Sequence, residues 1–266
     1  MKTFIKLYDD IVTKVKFFAK QLKLKIYKST GRPLAVSPEH TIALSLFKQT
    51  HGIKTKKSIW KIFDLKCSYK TLCVNMNRLG LYVLLILNSI LHWNRKNSHP
   101  VKHTDSTDIP VCLNKNATHH KTLSGLASWG HSGKGWFYGL KMTITTDLNR
   151  NLLAVRFGSG NASDRELFRK LNKDIMGIFV ADAGFISKDL EKEFYIENKR
   201  ILFAKPQRRM RKILTAWQNA LYETRMLIEL NFRNLKMFHN LETSLPRSID
   251  GYFGNYVHSL LAYVLG

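Results

Sequence analysis

The stretch IMGIFVADAGF, residues 175–185, joins a continuous apolar run to an aspartate and a glycine. An apolar run of this length, without polar residues at alternate positions, is typical of a strand that is covered on both faces. Asp182 therefore stands at the end of a predicted central strand, where open α/β sheets bind their ligands. Gly184 lets the chain turn sharply and leave the carboxylate accessible. The stretch predicts an α/β fold with a polar site at one edge of its sheet.

The segments around this strand alternate between strand-like and helix-like patterns. Further strands are predicted at 101–112, 136–146, 152–157 and 201–204. Helices are predicted at 164–172, 187–198 and 208–238. Strands followed by alternating helices and strands predict a mixed sheet packed by helices.

Residues 1–98 lack strand-like alternation and are predicted to form a separate helical domain, followed by a second domain over residues 99–266. Ser37 and Pro38 form a typical helix start, with serine as the N-cap and proline in the first turn. A glycine-containing turn at residues 51–53 separates two lysine-bearing helices, which is compatible with a DNA-binding helix-turn-helix unit. Many helical domains share this pattern without binding DNA, so both interpretations stay open. The predicted helices span 3–25, 38–49, 55–64, 68–78 and 80–93.

The excess of positive charge indicates a polyanionic partner. The 43 Lys and Arg residues exceed the 19 Asp and Glu residues and give a net charge of +24. Such an excess repels itself in a compact protein unless an anion such as nucleic acid binds to it, although a coding bias towards lysine explains part of it. The three cysteines have no zinc-site spacing, and the apolar run 81–91 is too short to span a bilayer. We therefore expect a cytoplasmic protein without membrane contact.

Four polar residues fall on one face of the predicted helix 208–238: Tyr222, Arg225, Glu229 and Lys236. At 100° per residue they lie within an arc of about 60°. Taken alone, Arg225 and Glu229 would be an ordinary ion pair one turn apart, and Asp182 would be a cap or turn residue. Asp105 adds a third carboxylate in the middle of a predicted strand, where aspartate is unusual. The three carboxylates together, Asp105, Asp182 and Glu229, are the candidate catalytic residues.

The spacing of Tyr222, Arg225, Glu229 and Lys236 resembles the tyrosine-arginine-glutamate-lysine signature of the DDE transposases of bacterial insertion sequences. The segments 105–112, 135–141, 160–165 and 180–185 resemble, in the same order, the strands and loops around that family's two aspartates. The resemblance extends over residues 100–266. Asp105 is preferred to Asp108 as the first aspartate because of its place in the motif and its position in mid-strand.

The resemblance implies a ribonuclease-H-like mixed sheet flanked by helices, preceded by a small all-helical domain. It implies that Asp105, Asp182 and Glu229 bind two Mg²⁺ ions, for which Mn²⁺ can substitute, and catalyse DNA cleavage and 3′-OH joining by in-line phosphoryl transfer. The implied partners are double-stranded DNA, both terminal inverted repeats and target, and a second copy of the chain. No nucleotide cofactor is implied. The implied location is the bacterial cytoplasm, with nucleoid association when DNA is bound.

The other signature residues suit contacts with DNA phosphates. Arg225 can bind a phosphate through two hydrogen bonds, and Lys236 can act as a point charge. Tyr222 can stack or donate a hydrogen bond near the cleaved strand, or simply pack in the core. A basic run adds five candidate phosphate contacts, although a solvated helix start would have the same composition: Lys205, Arg208, Arg209, Arg211 and Lys212.

Two functions remain open at this point. One is an active transposase, which the intact set of three carboxylates favours. The other is a catalytically inactive, transposase-derived DNA-binding protein, because the sequence stops at Gly266 directly after the apolar stretch 256–265. A nuclease on the same fold would share the carboxylates but not the signature helix.

Overall fold

The computed structural model describes residues 2–24, 34–185, 187–204 and 214–266. Contacts within the chain divide it into two compact units. The first unit combines Met1–Ile90 with Asn234–Gly266, and the second comprises Leu91–Arg233.

The bounds of the elements follow in chain order. The α-helices are α1 (Lys2–Gln21), α2 (Pro38–Thr50), α3 (Lys56–Ile62), α4 (Tyr69–Arg78), α5 (Gly80–Lys96), α6 (Asp164–Leu171), α7 (Lys188–Asn198), α8 (Ala216–Glu223), α9 (Met226–Met237) and α10 (Ile249–Leu265). The strands are β1 (Val101–Pro110), β2 (Ser128–Ser132), β3 (Gly135–Asp147), β4 (Leu152–Ser159), β5 (Ile178–Ala181) and β6 (Ile201–Ala204). Short 3₁₀ helices cover Asn114–His119 and Ala183–Phe185.

Side-chain caps start three of the helices in the first unit. The hydroxyl groups of Ser37, Thr55 and Ser68 each accept a hydrogen bond from the backbone N–H three residues further along the chain. These bonds satisfy amides that have no partner within the helix. The predicted helix start at Ser37 is thereby confirmed.

Helices α2, α3 and α4 enclose an apolar core in the first unit. Its fully buried members are Leu44, Phe47, Ile59, Leu72 and Met76. In the part of the chain that the structure describes, no single helix is long and apolar enough to cross a membrane, and only α4 and α5 taken together, with a bend of about 40°, meet that criterion.

Helix α10 belongs to the first unit. Most of its residues are buried, and it packs against α2 and α4. Burial of this apolar helix groups Asn234–Gly266 with the N-terminal helices in the first unit.

The second unit contains a mixed sheet with strand order β2-β3-β1-β5-β6, and β4 pairs with β3. Strand β1 is antiparallel to β3 and parallel to β5, which is in turn parallel to β6. The predicted α/β class with a mixed sheet flanked by helices is therefore confirmed. Strand β2 was not predicted, because its sequence SWGHS contains a single strong strand former.

Aromatic side chains cover strand β5. Phe179 of β5 packs against Phe168 of α6 and Phe194 of α7, with ring centroids 5.7 Å from each. The apolar run that predicted a buried strand is thus a strand within a core, although regular pairing begins only at Ile178.

The prediction of one helix over residues 208–238 is wrong where the structure describes it. Helices α8 and α9 are separated by a turn at Thr224 and Arg225. The Thr224 hydroxyl donates a hydrogen bond to the Leu221 carbonyl at 2.6 Å, and such bonds bend helices. Leu227 and Ile228 then donate to carbonyls three residues back, as in a tightened turn. The basic run before α8 lies outside the described residues.

Candidate active site

The register between β1 and β5 brings two predicted catalytic residues to one level of the sheet. His103 of β1 pairs with Val180 of β5 in a parallel ladder. Continuing this register by two residues sets Asp105 beside Asp182, directly after the last residue of β5. Side chains at equivalent positions of neighbouring parallel strands project from the same face. Asp105 and Asp182 therefore stand at equivalent positions beyond the paired residues, and the charge of Asp182 acts on the Asp105 carboxyl.

Arg225 connects Asp105 to the third predicted carboxylate. Its Nη1 donates to Asp105 Oδ2 at 3.2 Å, and its Nη2 donates to Glu229 Oε1 at 2.7 Å. The side chains of Asp105 and Arg225 are only 20% and 19% exposed, whereas that of Glu229 is 54% exposed. The turn between α8 and α9 thus places the Arg225 guanidinium in contact with the half-buried carboxylate of Asp105 and the exposed carboxylate of Glu229.

Charges and burial act in opposite directions on Asp105. Burial, together with the negative charges of Asp182 and Glu229, raises the pKa of the Asp105 carboxyl to about 6. The Ser106 N–H, 2.8 Å from Asp105 Oδ1, and the Arg225 guanidinium lower this pKa and offset part of the rise. Burial lowers the pKa of Arg225, but the surrounding negative charges outweigh it and raise this pKa overall.

The donor atoms of this site fit a divalent metal, because carboxylate oxygens are the ligands that Mg²⁺ and Mn²⁺ prefer. Across the described ranges, however, no three His, Cys, Asp or Glu side chains are grouped closely enough to hold a metal ion. Arg225 already contacts Asp105 and Glu229 and supplies the positive charge there. A metal bound by both carboxylates would compete with this guanidinium for their charge.

Sequence reasoning missed a second link between β1 and the turn. His103 is fully buried, and its Nε2 shares a hydrogen bond of 2.8 Å with Thr224 Oγ1. Burial lowers the pKa of His103 to about 4, so the ring is neutral at pH 7. His103 lies two residues before Asp105, and Thr224 directly precedes Arg225. A histidine within a predicted strand was the signal in the sequence, and its partner is 121 residues away.

The two aspartates of β1 are separated by the sheet. Asp108 lies three residues after Asp105, and side chains alternate between the faces of a strand. Asp108 is opposite Lys141 of β3 in the antiparallel register. The face that carries Asp108 is therefore not the face that carries Asp105 and Arg225.

Among the predicted DNA contacts, Tyr222 lies beside Arg225 in this site. The Tyr222 ring lies 5.9 Å from the guanidinium carbon of Arg225. Lys236 belongs to the first unit, where it forms an ion pair of 2.6 Å with Glu242. The five residues of the basic run lie outside the described residues: Lys205, Arg208, Arg209, Arg211 and Lys212.

Comparison with known proteins identifies the family. The family described as Transposase DDE domain matches residues 95–249. A solved piggyBac transposase synaptic complex with hairpin DNA is similar, with a TM-score of 0.49 and 9% identity over 96% of this chain and 72% of that chain. No curated protein sequence matches. The family match covers more than half of the chain and includes all three candidate carboxylates, so the chain belongs to the DDE transposase family, whose members cut and transfer DNA.

Proposed function

We propose that this transposase is an active enzyme of an insertion sequence. It binds the terminal inverted repeats, cleaves phosphodiester bonds there and joins the resulting 3′-OH ends to target DNA. The observation that supports this most strongly is the grouping of three carboxylates: Asp105 and Glu229 lie on the same guanidinium, and the charge of Asp182 acts on the Asp105 carboxyl. Carboxylates that would repel one another are held within one site.

In this proposal Asp105, Asp182 and Glu229 bind two Mg²⁺ ions, for which Mn²⁺ can substitute. Bound divalent ions would activate the attacking oxygen and stabilise the leaving oxygen of an in-line displacement. The chain itself positions the ligands. The parallel ladder of β1 and β5 ends two residues before each of the two aspartates, and the Ser106 N–H donates a hydrogen bond to the Asp105 carboxylate.

Arg225 has two successive partners in this proposal. Without DNA it neutralises Asp105 and Glu229. A DNA phosphate offers the guanidinium a pair of parallel hydrogen bonds, which is the geometry arginine prefers. Binding of the scissile strand would therefore draw Arg225 away and release the carboxylates for metal. Tyr222 lies beside Arg225 and would pack against the same strand.

The remaining basic residues would hold the DNA outside the reacting centre. Lys236 and the basic run at residues 205–212 would neutralise phosphates, which fits the net charge of +24. Two copies of the chain are needed to hold two DNA ends together, so a homodimer on DNA is part of the proposal.

A second candidate function is a transposase-derived protein that binds DNA without cutting it. The ion pairs of Arg225 favour it, because an arginine that kept these contacts in the presence of DNA would exclude a metal from Asp105 and Glu229. The two functions differ in whether DNA binding is followed by cleavage.

The test uses the purified full chain with Mg²⁺ or Mn²⁺ and duplexes that carry the inverted repeats flanking its gene. We expect strand-specific nicks on a sequencing gel with wild type and none with Asp182→Ala. Asp174→Ala is the control, because Asp174 is an exposed aspartate of the same unit outside the site. Binding without cleavage by wild type would establish the second function. Unchanged cleavage by Asp182→Ala would contradict the assignment of the site.

A further inference from the structure

A cavity of about 450 Å³ lies within the first unit, lined by residues of α2, α3, α4 and the start of α10. Four of its lining residues are cationic, namely Lys48, Lys54, Lys56 and Arg247. None of the described residues that line it is an aspartate or glutamate. The volume lies in the range of small-ligand sites.

The deepest cation of the cavity has only neutral partners among the described residues. Lys48 is 6% exposed, and its Nζ donates to Gln49 Oε1 at 3.2 Å. The Gln49 amide is itself fixed, because its Nε2 donates to Asn255 Oδ1 at 2.9 Å. An ammonium has three N–H groups, so this network leaves Lys48 with donors for a ligand.

Lys56 repeats this arrangement from the neighbouring helix. It is partly buried, and its Nζ donates to the side-chain oxygen of Asn77. Burial lowers the pKa of Lys48 to about 8, helped by the charge of Lys56, and burial also lowers the pKa of Lys56. Both shifts express the cost of holding ammonium groups away from water without a counter-charge.

The start of α10 adds to the positive potential. Ser248, the N-cap of this 17-residue helix, and Gly251 in its first turn line the same cavity. Amides at a helix N-terminus favour anions. A buried lysine, a partly buried lysine, two exposed cations and a helix start thus line one cavity.

We propose that this cavity binds a phosphate group, with Lys48 and Lys56 as its deep contacts and the exposed Lys54 and Arg247 at its entrance. A phosphate would supply the counter-charge that the protein does not, and its oxygens would accept the free N–H groups of the lysines. The phosphate belongs either to DNA or to a small free phosphate compound. The site lies in the first unit, so the proposal does not depend on the catalytic assignment of Asp105, Asp182 and Glu229.

Calorimetric titration of the full chain with inorganic phosphate at pH 7 and low ionic strength tests the proposal. We expect one saturable site in wild type and at least tenfold weaker binding in Lys48→Met and Lys56→Met. Lys57→Met is the matched control, since Lys57 is the exposed neighbour of Lys56 and does not line the cavity. Its affinity should equal that of wild type. Circular dichroism checks the fold, and Lys56→Gln replaces any variant that does not fold.

Two results would overturn the proposal. One is the lack of saturable binding by wild type. The other is equal weakening in Lys57→Met, which would indicate general attraction by the net charge. Competition then identifies the source of the phosphate. Displacement by a short duplex, and not by a nucleoside monophosphate, supports a site for DNA. Displacement by the monophosphate alone supports a site for a free phosphate compound.

Discussion

The two units of this transposase hold buried charge in opposite ways. In the second unit, Arg225 contacts Asp105 and Glu229, so charges of opposite sign compensate within the protein. In the first unit, Lys48 and Lys56 share a cavity with neutral amides, and no described carboxylate lines it. The net charge of +24 does not reveal this difference. A cation near carboxylates is a partner for them, whereas a buried cation without an acid needs an anion from outside.

The largest effect on activity is expected in the second unit, at the site where Arg225 compensates the charges of Asp105 and Glu229. Asp105→Asn keeps the shape of the side chain but removes the charge that contacts Arg225 and would bind metal. We expect it to lower the rate of strand cleavage by about 10³-fold, the scale seen when one electrostatic group is removed from an active site. The rate is measured under single-turnover conditions with Mn²⁺ and a repeat-end duplex.

Asp108→Asn is the control for this substitution, because Asp108 occupies the same strand on the other face. Its cleavage rate should stay within about threefold of wild type, as expected for a residue outside the reacting centre. A large loss in Asp108→Asn, with activity retained in Asp105→Asn, would exchange the two assignments.

The second prediction concerns the cavity of the first unit, where Lys48 is buried without a carboxylate among the described lining residues. At pH 7 Lys48→Met should make the phosphate-free protein more stable, by roughly 2–3 kcal/mol, because the pKa of Lys48 is lowered from 10.5 to about 8. Methionine keeps most of the apolar stem and removes the charge. Urea unfolding in a phosphate-free buffer measures the difference. A variant less stable than wild type would show that Lys48 is already compensated.

The pH dependence of this difference has a definite sign. Below pH 8 both the folded and the unfolded wild type carry the Lys48 proton, so the cost of burial is fully present. Between pH 8 and 10.5 the folded protein loses the proton first, and wild type gains stability relative to Lys48→Met. The difference should vanish above pH 10.5. A second, smaller cavity is also lined by Lys48. The other titratable or charged groups that line these two cavities are Lys54, Lys56, Tyr69, Cys73, Arg247 and His258.

The third prediction concerns the loss of the Arg225 charge, which compensates Asp105 and Glu229 in the second unit. Arg225→Gln leaves Asp105 without its cation and should lower the free energy of unfolding by about 1–2 kcal/mol, a value reduced by the exposure of Glu229. Mn²⁺ should then raise the melting temperature of the variant more than that of wild type, since it no longer competes with the guanidinium. Equal shifts in both proteins would show that Arg225 does not occupy the metal position.

Features of the fold that depend on a few neighbouring residues could be predicted from the sequence, whereas those that depend on distant contacts could not. Strand β5 and the cap at Ser37 follow from a few neighbouring residues, and both were predicted. The face shared by Arg225 and Glu229 was inferred for a continuous helix. These two residues still meet, because the turn at Thr224 keeps them one turn apart.

The contacts that assemble the site are distant in sequence. Arg225 and Asp105 are 120 residues apart, and β1 and β5, which precede Asp105 and Asp182 in the sheet, pair through residues that are about 77 apart in sequence. The cavity of the first unit joins α2 and α3 to α10, some 200 residues later. Helix patterns give no information on such pairings, because an apolar face can pack against several partners. The carboxylates could therefore be selected from motifs, but the role of Arg225 between them could not.

The smallest effect is expected from a substitution at Thr224, which tests whether its hydrogen bond to His103 holds Arg225 in position. Thr224→Val removes the hydroxyl that bonds His103 and leaves a buried ring nitrogen without this partner, which should cost about 1 kcal/mol of stability. Thr146→Val is the matched control, because the Thr146 hydroxyl is buried without a partner among the described residues and its loss should cost nothing. If the bond only stabilises the fold, cleavage in Thr224→Val at a temperature well below unfolding should equal wild type. If it positions Arg225, kcat should fall about threefold while KM for DNA changes less, since a displaced guanidinium affects the reacting centre more than the binding of the duplex.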